Sequence, residues 1–298
     1  FYICRYEDYF HTFFVLIGFF ATAQAKPDST IEVGKKVITL HNLVLNNKLN
    51  VASFIEHVKN DSSFYKAFRN LRILNFSAIN DIRMLKKNGD LLASLHSKTR
   101  QIRSANCRRM ETLEETTTGD IYDDQHEFNY YTAQMYASLF FTKGKICGEN
   151  NIVAGKEFST EGKSGMEKHK EQLKMLFFNP GKRIKGLPFM SNKTAIFDDR
   201  MADRYEMDLN MDVRNGISCF VFHQKAKPGS SDGVVIDEMT TWFNDSTMEV
   251  VARKYHLSYD AAVYDFDVNM EVEMGRFRDF TVPVLIRYTG NWKALFKR

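Results

Sequence analysis

The chain has 298 residues, of which 44% are hydrophobic, and 41 Lys and Arg against 37 Asp and Glu give it a formal net charge of +4. A surplus this small and this scattered does not form the basic stripe that nucleic-acid binding requires, so nucleic acid is excluded as an expected partner. The length is ample for a sizeable core, in one large β-rich domain or in two closely joined lobes.

Residues 1–25 have the pattern of a secretory signal peptide. Phe13 to Phe20 supply the apolar core, and Ala23-Gln24-Ala25 is a small-x-small cleavage site directly before Lys26. A buried helix or a short anchor is the alternative, but the apolar run is well short of the roughly 20 residues that span a bilayer. We therefore expect a mature chain that starts at Lys26, has no transmembrane span and is periplasmic or secreted.

The N-terminal region, residues 26–155, is predicted to mix strands and helices. A strand-like run at residues 36–40 precedes a helix that Asn50 can cap. From residue 75 to about residue 122, alternating polar and β-branched residues, broken at Asn88-Gly89, predict strands joined by hairpins.

Two helices and a loop are predicted in the middle of the chain. Apolar residues recur at helical spacing across residues 123–141, which predicts a helix there. Residues 143–163 are rich in Gly, Asn and Lys and predict a loop or a hinge. Ser164 and Glu167 form a capping box that begins the next helix, and Asn179-Pro180-Gly181 ends it.

The C-terminal region, residues 156–298, is predicted to continue as an antiparallel β-meander. Residues 265–274 alternate polar and apolar side chains without exception, and residues 205–213 follow the same rule. Turn signals such as Asn215-Gly216 separate seven strand-like segments between residues 193 and 289. The expected fold is α+β and β-rich: a large curved antiparallel sheet, a half-barrel meander continuous with the N-terminal strands, carries helices on its apolar concave face.

Three cysteines remain after the signal peptide: Cys107, Cys147 and Cys219. Their odd number and unpaired spacing argue against a disulfide framework. One disulfide with one free thiol is compatible with an oxidising compartment. Cys219, inside an apolar run, is at least as well explained as a buried, hydrophobe-like residue.

The sequence contains no catalytic signature. The acidic and histidine cluster at residues 123–127 matches no zinc spacing and is better explained as a charged loop before a helix. The charged residues at 198–204 are better explained as a solvated strand entry than as a carboxylate pair for acid–base chemistry. No Ser or Cys lies in a nucleophile elbow. We therefore predict a protein that is not an enzyme and has no cofactor or metal.

The apolar face of the predicted sheet is rich in methionine, whose flexible thioether adapts to ligands of variable shape. It is a candidate surface for an acyl chain under a helical lid, although plain core packing explains the same pattern; an internal cavity would separate the two. The candidate lining consists of Met207, Leu209, Met211, Phe266, Val268, Met270, Val272 and Val284 on the strands and Leu173, Leu176 and Phe177 on the helix.

A strand-turn-strand run from Met239 to Lys254, in which a strand ends in an aromatic pair and an acidic turn, continues through residues 264–268 and 282–288. On these features the C-terminal half resembles the LolA/LolB-like family of exported lipoprotein carriers. That resemblance implies a half-barrel closed by helices over an apolar cavity. The helix at Ser63–Phe68 resembles that of exported proteins of unknown function from Bacteroidetes-type bacteria, which favours export.

These features predict an exported, non-enzymatic protein that binds a lipid or acyl chain in an apolar cavity between sheet and helices, in the manner of a carrier. The alternative is an envelope structural or protein-interaction module with a fully packed core, whose partner would be an envelope protein; a large exposed apolar or basic patch would favour it.

One basic stretch consists of Arg100, Arg103, Arg108 and Arg109. It is either a solvated strand face or a contact for lipid phosphates or an acidic partner.

Overall fold

The computed structural model describes residues 29–41, 49–153, 174–184, 190, 192–230, 233–260 and 264–294. The predicted signal peptide and the boundary expected between residues 155 and 156 lie outside these ranges. Among the described residues, no helix has the length and apolar character needed to cross a membrane.

Strands dominate the described chain. In chain order the elements are β1 (Ser29–Val33), β2 (Lys36–Leu40), α1 (Val51–Asn60), α2 (Ser63–Leu71), β3 (Phe76–Leu85), β4 (Leu91–Ser104), β5 (Cys107–Thr118), α3 (Tyr131–Phe140), β6 (Ile146–Cys147), β7 (Tyr205–Arg214), β8 (Ile217–Ala226), β9 (Ile236–Asn244), β10 (Val250–Asp260), β11 (Tyr264–Phe277) and β12 (Phe280–Ala294). Residues 174–178 are also helical, and a 3₁₀ helix spans Asp199–Arg204.

The main sheet confirms the predicted curled, β-rich architecture. Its eight strands are ordered β1-β2-β7-β8-β9-β10-β11-β12, and each consecutive pair from β7 onward is antiparallel. The β1–β2 hairpin joins this meander through a parallel pairing of β2 with β7. The first strands of the chain therefore extend the C-terminal sheet, although a long stretch of chain separates them from it.

Helices α1 and α2 cover the apolar face of the main sheet, which we call the inner face. As predicted, Asn50 caps α1, because its Oδ1 accepts a hydrogen bond from the Ser53 N–H at 2.9 Å. In the middle of α1, the Phe54 ring packs edge-on against three rings of β8 and β9 at centroid distances of 5.5 to 5.9 Å; they belong to Phe220, Phe222 and Phe243. Aromatic packing thus fills the part of the inner face under α1.

A second, antiparallel sheet has the order β3-β4-β5-β6. Helix α3 packs on one of its faces around a small core that contains Ile82, Ala93, Leu95, Ile121 and Ala133. A disulfide between Cys107 and Cys147 joins β5 to the two-residue strand β6, and Cys219 is a buried free thiol. The alternative of one disulfide with one free thiol is therefore the correct one.

Two element boundaries differ from the sequence prediction. The helix expected from residue 123 begins only at Tyr131, because the Asp123 carboxylate accepts the backbone N–H groups of Gln125 and Glu127 at 2.9 Å and closes a turn instead. The strand expected near residues 193–200 is a turn that leads into the 3₁₀ helix, where the Met201 N–H bonds to the Asp198 carbonyl at 2.9 Å.

Candidate functional site

Most of the expected lining residues share the inner face of the main sheet. The buried ones, at most 3% exposed, are Met207, Leu209, Phe266, Val268, Met270 and Val272 on the strands, together with Leu176 and Phe177 on the helical segment 174–178 that faces them. Met211 is partly buried and packs against the same core. Leu173 lies outside the described residues. These side chains form one continuous apolar surface rather than scattered contacts.

Val284 does not belong to this surface, and its assignment to the lining is wrong. Its side chain is 65% exposed. Glu273 pairs with Leu285 and Met274 pairs with Pro283, so Val284 is the extra residue of a β-bulge. Pro283 has no N–H to donate to the ladder, which is consistent with an irregular register at this position.

One row of side chains crosses the inner face from β7 to β12. The strand registers join its members as successive cross-strand partners. We call it the methionine row, and it consists of Met207, Gln224, Met239, Tyr255, Met270 and Tyr288. The first five are at most 3% exposed. Three flexible thioethers therefore alternate across the sheet with one amide and one phenol, and a second phenol, that of Tyr288, ends the row.

Gln224 is the unusual member of the row. Its side chain is 0% exposed, and neither Oε1 nor Nε2 has a hydrogen-bond partner among the residues that the structure describes. Leaving buried polar atoms unpaired costs about 1–3 kcal/mol. The sequence offered a signal for this residue, because Gln224 takes an apolar position in the alternation of β8, two residues after the buried Phe222.

Tyr255 joins the row to the helical segment 174–178. Its hydroxyl donates a hydrogen bond to the Phe177 carbonyl at 2.6 Å and lies 3.0 Å from the Met270 Sδ. The Phe177 ring packs at 5.7 Å from Trp292, which packs at 5.0 Å from Phe266. Burial raises the pKa of Tyr255 far above its ordinary value, so the hydroxyl stays protonated and available as a donor. The segment thus rests on β10, β11 and β12.

Arg253 places a cation on the inner face, two residues before Tyr255 on β10. The side chain is 5% exposed, and its Nε donates to the Thr241 Oγ1 at 3.0 Å. The guanidinium lies over the Phe64 ring of α2 at 4.3 Å, a cation–π contact. Burial lowers the pKa of this guanidinium. Like Gln224, Arg253 interrupts an apolar alternation, and sequence reasoning missed it.

The opposite face of the main sheet is polar and carries histidines between carboxylates. His223 is 2.8 Å from Asp208 through Nδ1 and 2.8 Å from Glu238 through Nε2. These hydrogen bonds, that with Asp208 above all, raise the pKa of His223 in spite of its partial burial. His256 is 2.9 Å from Asp267. Among the described residues, no three His, Cys, Asp or Glu side chains are grouped so that they could hold a metal ion.

The basic stretch of β4 and β5 is divided between two environments. Arg108 pairs with Glu149 at 2.5 Å and is 13% exposed, so it belongs to the junction between the second sheet and α2. Arg100 and Arg109 both pair with Glu111 and are about half exposed, at 50% and 53%. The four arginines therefore do not form one basic surface.

Two open pockets lie on the second sheet. One has a volume of about 430 Å³ and is lined by Asp81, Arg83, Leu85, Gly89, Leu91, Ser94 and His96. The other has a volume of about 510 Å³ and is lined by Asn75, Phe76, Ser77, Arg100, Gln101 and Ile102. Both mix charged and polar with apolar side chains and lie on the second sheet, so they do not match the apolar cavity between the main sheet and its helices that the sequence led us to expect.

No protein-family model and no curated protein matches this sequence. A solved domain from Vibrio parahaemolyticus, described as an outer membrane lipoprotein-sorting protein domain, aligns over 84% of this chain and 93% of its own, with 11% identity and a TM-score of 0.25. A DUF1329 family protein from Desulfovibrio piger aligns over 74% of this chain and 84% of its own, with 12% identity and a TM-score of 0.19. TM-scores of this size do not establish a shared fold.

Proposed function

We propose that this protein binds the acyl chain of a lipid between the inner face of the main sheet and the helical segment 174–178, and that it does so as an exported, carrier-like protein without catalysis. The observation that carries the proposal is the methionine row with Gln224 inside it. Thioethers adapt to an acyl chain of variable shape. The unpartnered amide supplies one donor group and one acceptor for the ester or amide linkage of an acyl lipid.

Binding by this surface needs little beyond burial. Each methylene transferred from water contributes about 0.8 kcal/mol, so an acyl chain of moderate length gains useful affinity without further polar contacts. Entry requires part of the apolar packing to open. Segment 174–178 is the element to move, because it rests on the sheet through Tyr255 and a few apolar side chains, whereas Phe54 of α1 is enclosed by three rings.

Native mass spectrometry with lipid extraction tests the proposal on protein purified from an exporting host without harsh detergent. We expect co-purifying acyl species, and we expect the delipidated protein to regain such a mass when it is challenged with phospholipid vesicles. Met239→Ala should weaken this uptake, because it removes the thioether side chain at the centre of the methionine row. Val284→Ala changes an exposed residue and serves as the control. A clean apo mass that does not change on lipid challenge would refute the proposal.

A second candidate, a protein-interaction module, is favoured by the exposed apolar side chains of the second sheet. Ile79 is 75% exposed, Leu85 58% and Leu91 52%. A photo-crosslinking residue at Ile79, compared with one at Val213 of the main sheet, which is 65% exposed, distinguishes the candidates in the exporting host. An adduct with one envelope protein at position 79 alone would favour the interaction module; adducts of equal yield at both positions would count against it.

A further inference from the structure

The guanidinium of Arg253 has unused hydrogen-bonding capacity inside the core. Of its five N–H donors, the one on Nε is engaged by Thr241. Within the described part of the chain, Arg253 forms no ion pair, and its side chain keeps a small exposed fraction of 5%. A buried guanidinium is strongly favoured to pair with an anion, because its charge is otherwise poorly compensated in an apolar surrounding.

The charges around Arg253 are predominantly positive. Lys182 donates to the carbonyls of Val58 and Lys59 at the end of α1, and burial together with the charge of Arg253 lowers the pKa of Lys182 to about 8. Asp61 is the acidic group that acts on both cations, but its carboxylate already accepts the Ser63 N–H at 3.0 Å. Two cations thus face one carboxylate, which also accepts a backbone N–H.

The start of α2 adds neutral donors to the same place. Ser63 is the first residue of this nine-residue helix, and its buried Oγ has no hydrogen-bond partner in the described part of the chain. The next residue, Phe64, carries the ring over which Arg253 lies. A helix N-terminus favours negative charge through its dipole and its remaining N–H groups, although the Ser63 N–H is already bonded to Asp61. The residue that precedes the ring under Arg253 therefore carries a further hydroxyl donor.

We infer that Arg253, Ser63 and the N-terminus of α2 bind the acidic head group, a carboxylate or a phosphate, of the lipid whose acyl chain occupies the methionine row. This inference rests on the proposed function. Arg253 precedes Tyr255 of the row by two residues, a distance of about 7 Å along a strand. A head group at Arg253 can therefore continue directly into an acyl chain on the row.

The test compares oleic acid with oleyl alcohol, which share the chain and differ in charge. Affinities are measured at pH 7 on delipidated wild type and on Arg253→Met, which keeps an unbranched, flexible side chain and removes its charge. We expect the wild type to bind the acid at least tenfold more tightly than the alcohol. Arg253→Met should bind both equally, with its affinity for the alcohol unchanged. Ser63→Ala, a smaller change, should reduce the preference for the acid a few-fold.

The outcomes separate this inference from the proposed function. Equal affinity of the wild type for acid and alcohol would overturn the head-group site and leave acyl-chain binding intact. Binding of neither ligand would overturn both. Inorganic phosphate alone is the third arm: if it raises the melting temperature of the wild type but not of Arg253→Met, while acid and alcohol bind alike, the site takes a free anion and its assignment to a lipid head group is wrong.

Discussion

Gln224 and Gln101 are both buried glutamines, but their amides are in opposite situations. Gln101 donates to the Leu71 and Leu74 carbonyls at 2.6 and 2.8 Å, whereas no described residue bonds to the Gln224 amide. Gln224→Met should raise the free energy of unfolding of delipidated protein by about 1–3 kcal/mol, because it replaces an unpaired buried amide by an apolar side chain of similar size. Gln101→Met should lower it by a comparable amount. Urea denaturation measures both; equal destabilisation would mean that Gln224 has partners in solution.

The histidine–carboxylate contacts predict a dependence of stability on pH. Contacts with Asp208 and Glu238 raise the pKa of His223 above its ordinary value of 6.5. A raised pKa in the folded state means that the contribution to stability is fully present below pH 6.5 and is lost as the pH rises through the raised value. The difference in free energy of unfolding between wild type and His223→Gln should therefore shrink from pH 6 to pH 9. A difference that does not vary with pH would contradict this prediction.

At the scale of elements, the disulfide is what holds the short strand β6. Cys107 and Cys147 are 40 residues apart, and closing a loop of this length is worth about 4 kcal/mol in the chain-entropy view. The double variant Cys107→Ala/Cys147→Ala should therefore lose about 2–4 kcal/mol of unfolding free energy. Denaturation with and without reductant measures the loss. Reductant should destabilise Cys219→Ala as much as the wild type, because Cys219 is not part of the bridge. If reductant changes the stability of neither protein, the bridge is not stabilising.

Local sequence signals predicted the elements well where short-range chemistry decides. Asn50 has the side chain that a helix start needs, and β7 and β11 alternate because one face of each is buried. The signals failed where the environment of a residue depends on contacts distant in sequence or on an irregularity in the pairing of two strands. The bulge that exposes Val284 depends on how β12 pairs with β11, which no alternation in β12 alone reveals.

At the scale of the whole molecule, the second sheet meets α2, which covers the main sheet, through a polar junction that the sequence could not show. Glu149 accepts hydrogen bonds from Arg108 at 2.5 Å and from Arg72 at 3.0 Å, across 41 and 77 residues of chain. Arg103 reaches the Arg72 carbonyl at 2.9 Å. A run of arginines looks the same in sequence whether its side chains are solvated or paired with a carboxylate that is distant along the chain. The same reason hid Arg253 and Tyr255, whose roles depend on α2 and on segment 174–178.

Segment 174–178 should open more readily than α1 if it is the movable cover of the inner face. Tyr255→Phe removes the hydrogen bond to the Phe177 carbonyl and should cost about 1 kcal/mol of unfolding free energy. It should also speed hydrogen exchange of the backbone amides in segment 174–178, because the segment loses one of the contacts that oppose its local opening. Exchange in α1 should not change, because α1 loses no contact. Mass spectrometry of deuterium uptake measures both.

Tyr205→Phe provides the matched control for this prediction. Tyr205 is also a buried tyrosine whose hydroxyl donates to a backbone carbonyl, that of Ile236 at 2.7 Å, but it lies on β7 and does not contact segment 174–178 through this bond. Its loss should lower stability by a similar amount and leave exchange in the segment unchanged. If both variants speed that exchange equally, opening follows global stability, the segment is part of a cooperative core, and ligand entry must use another element.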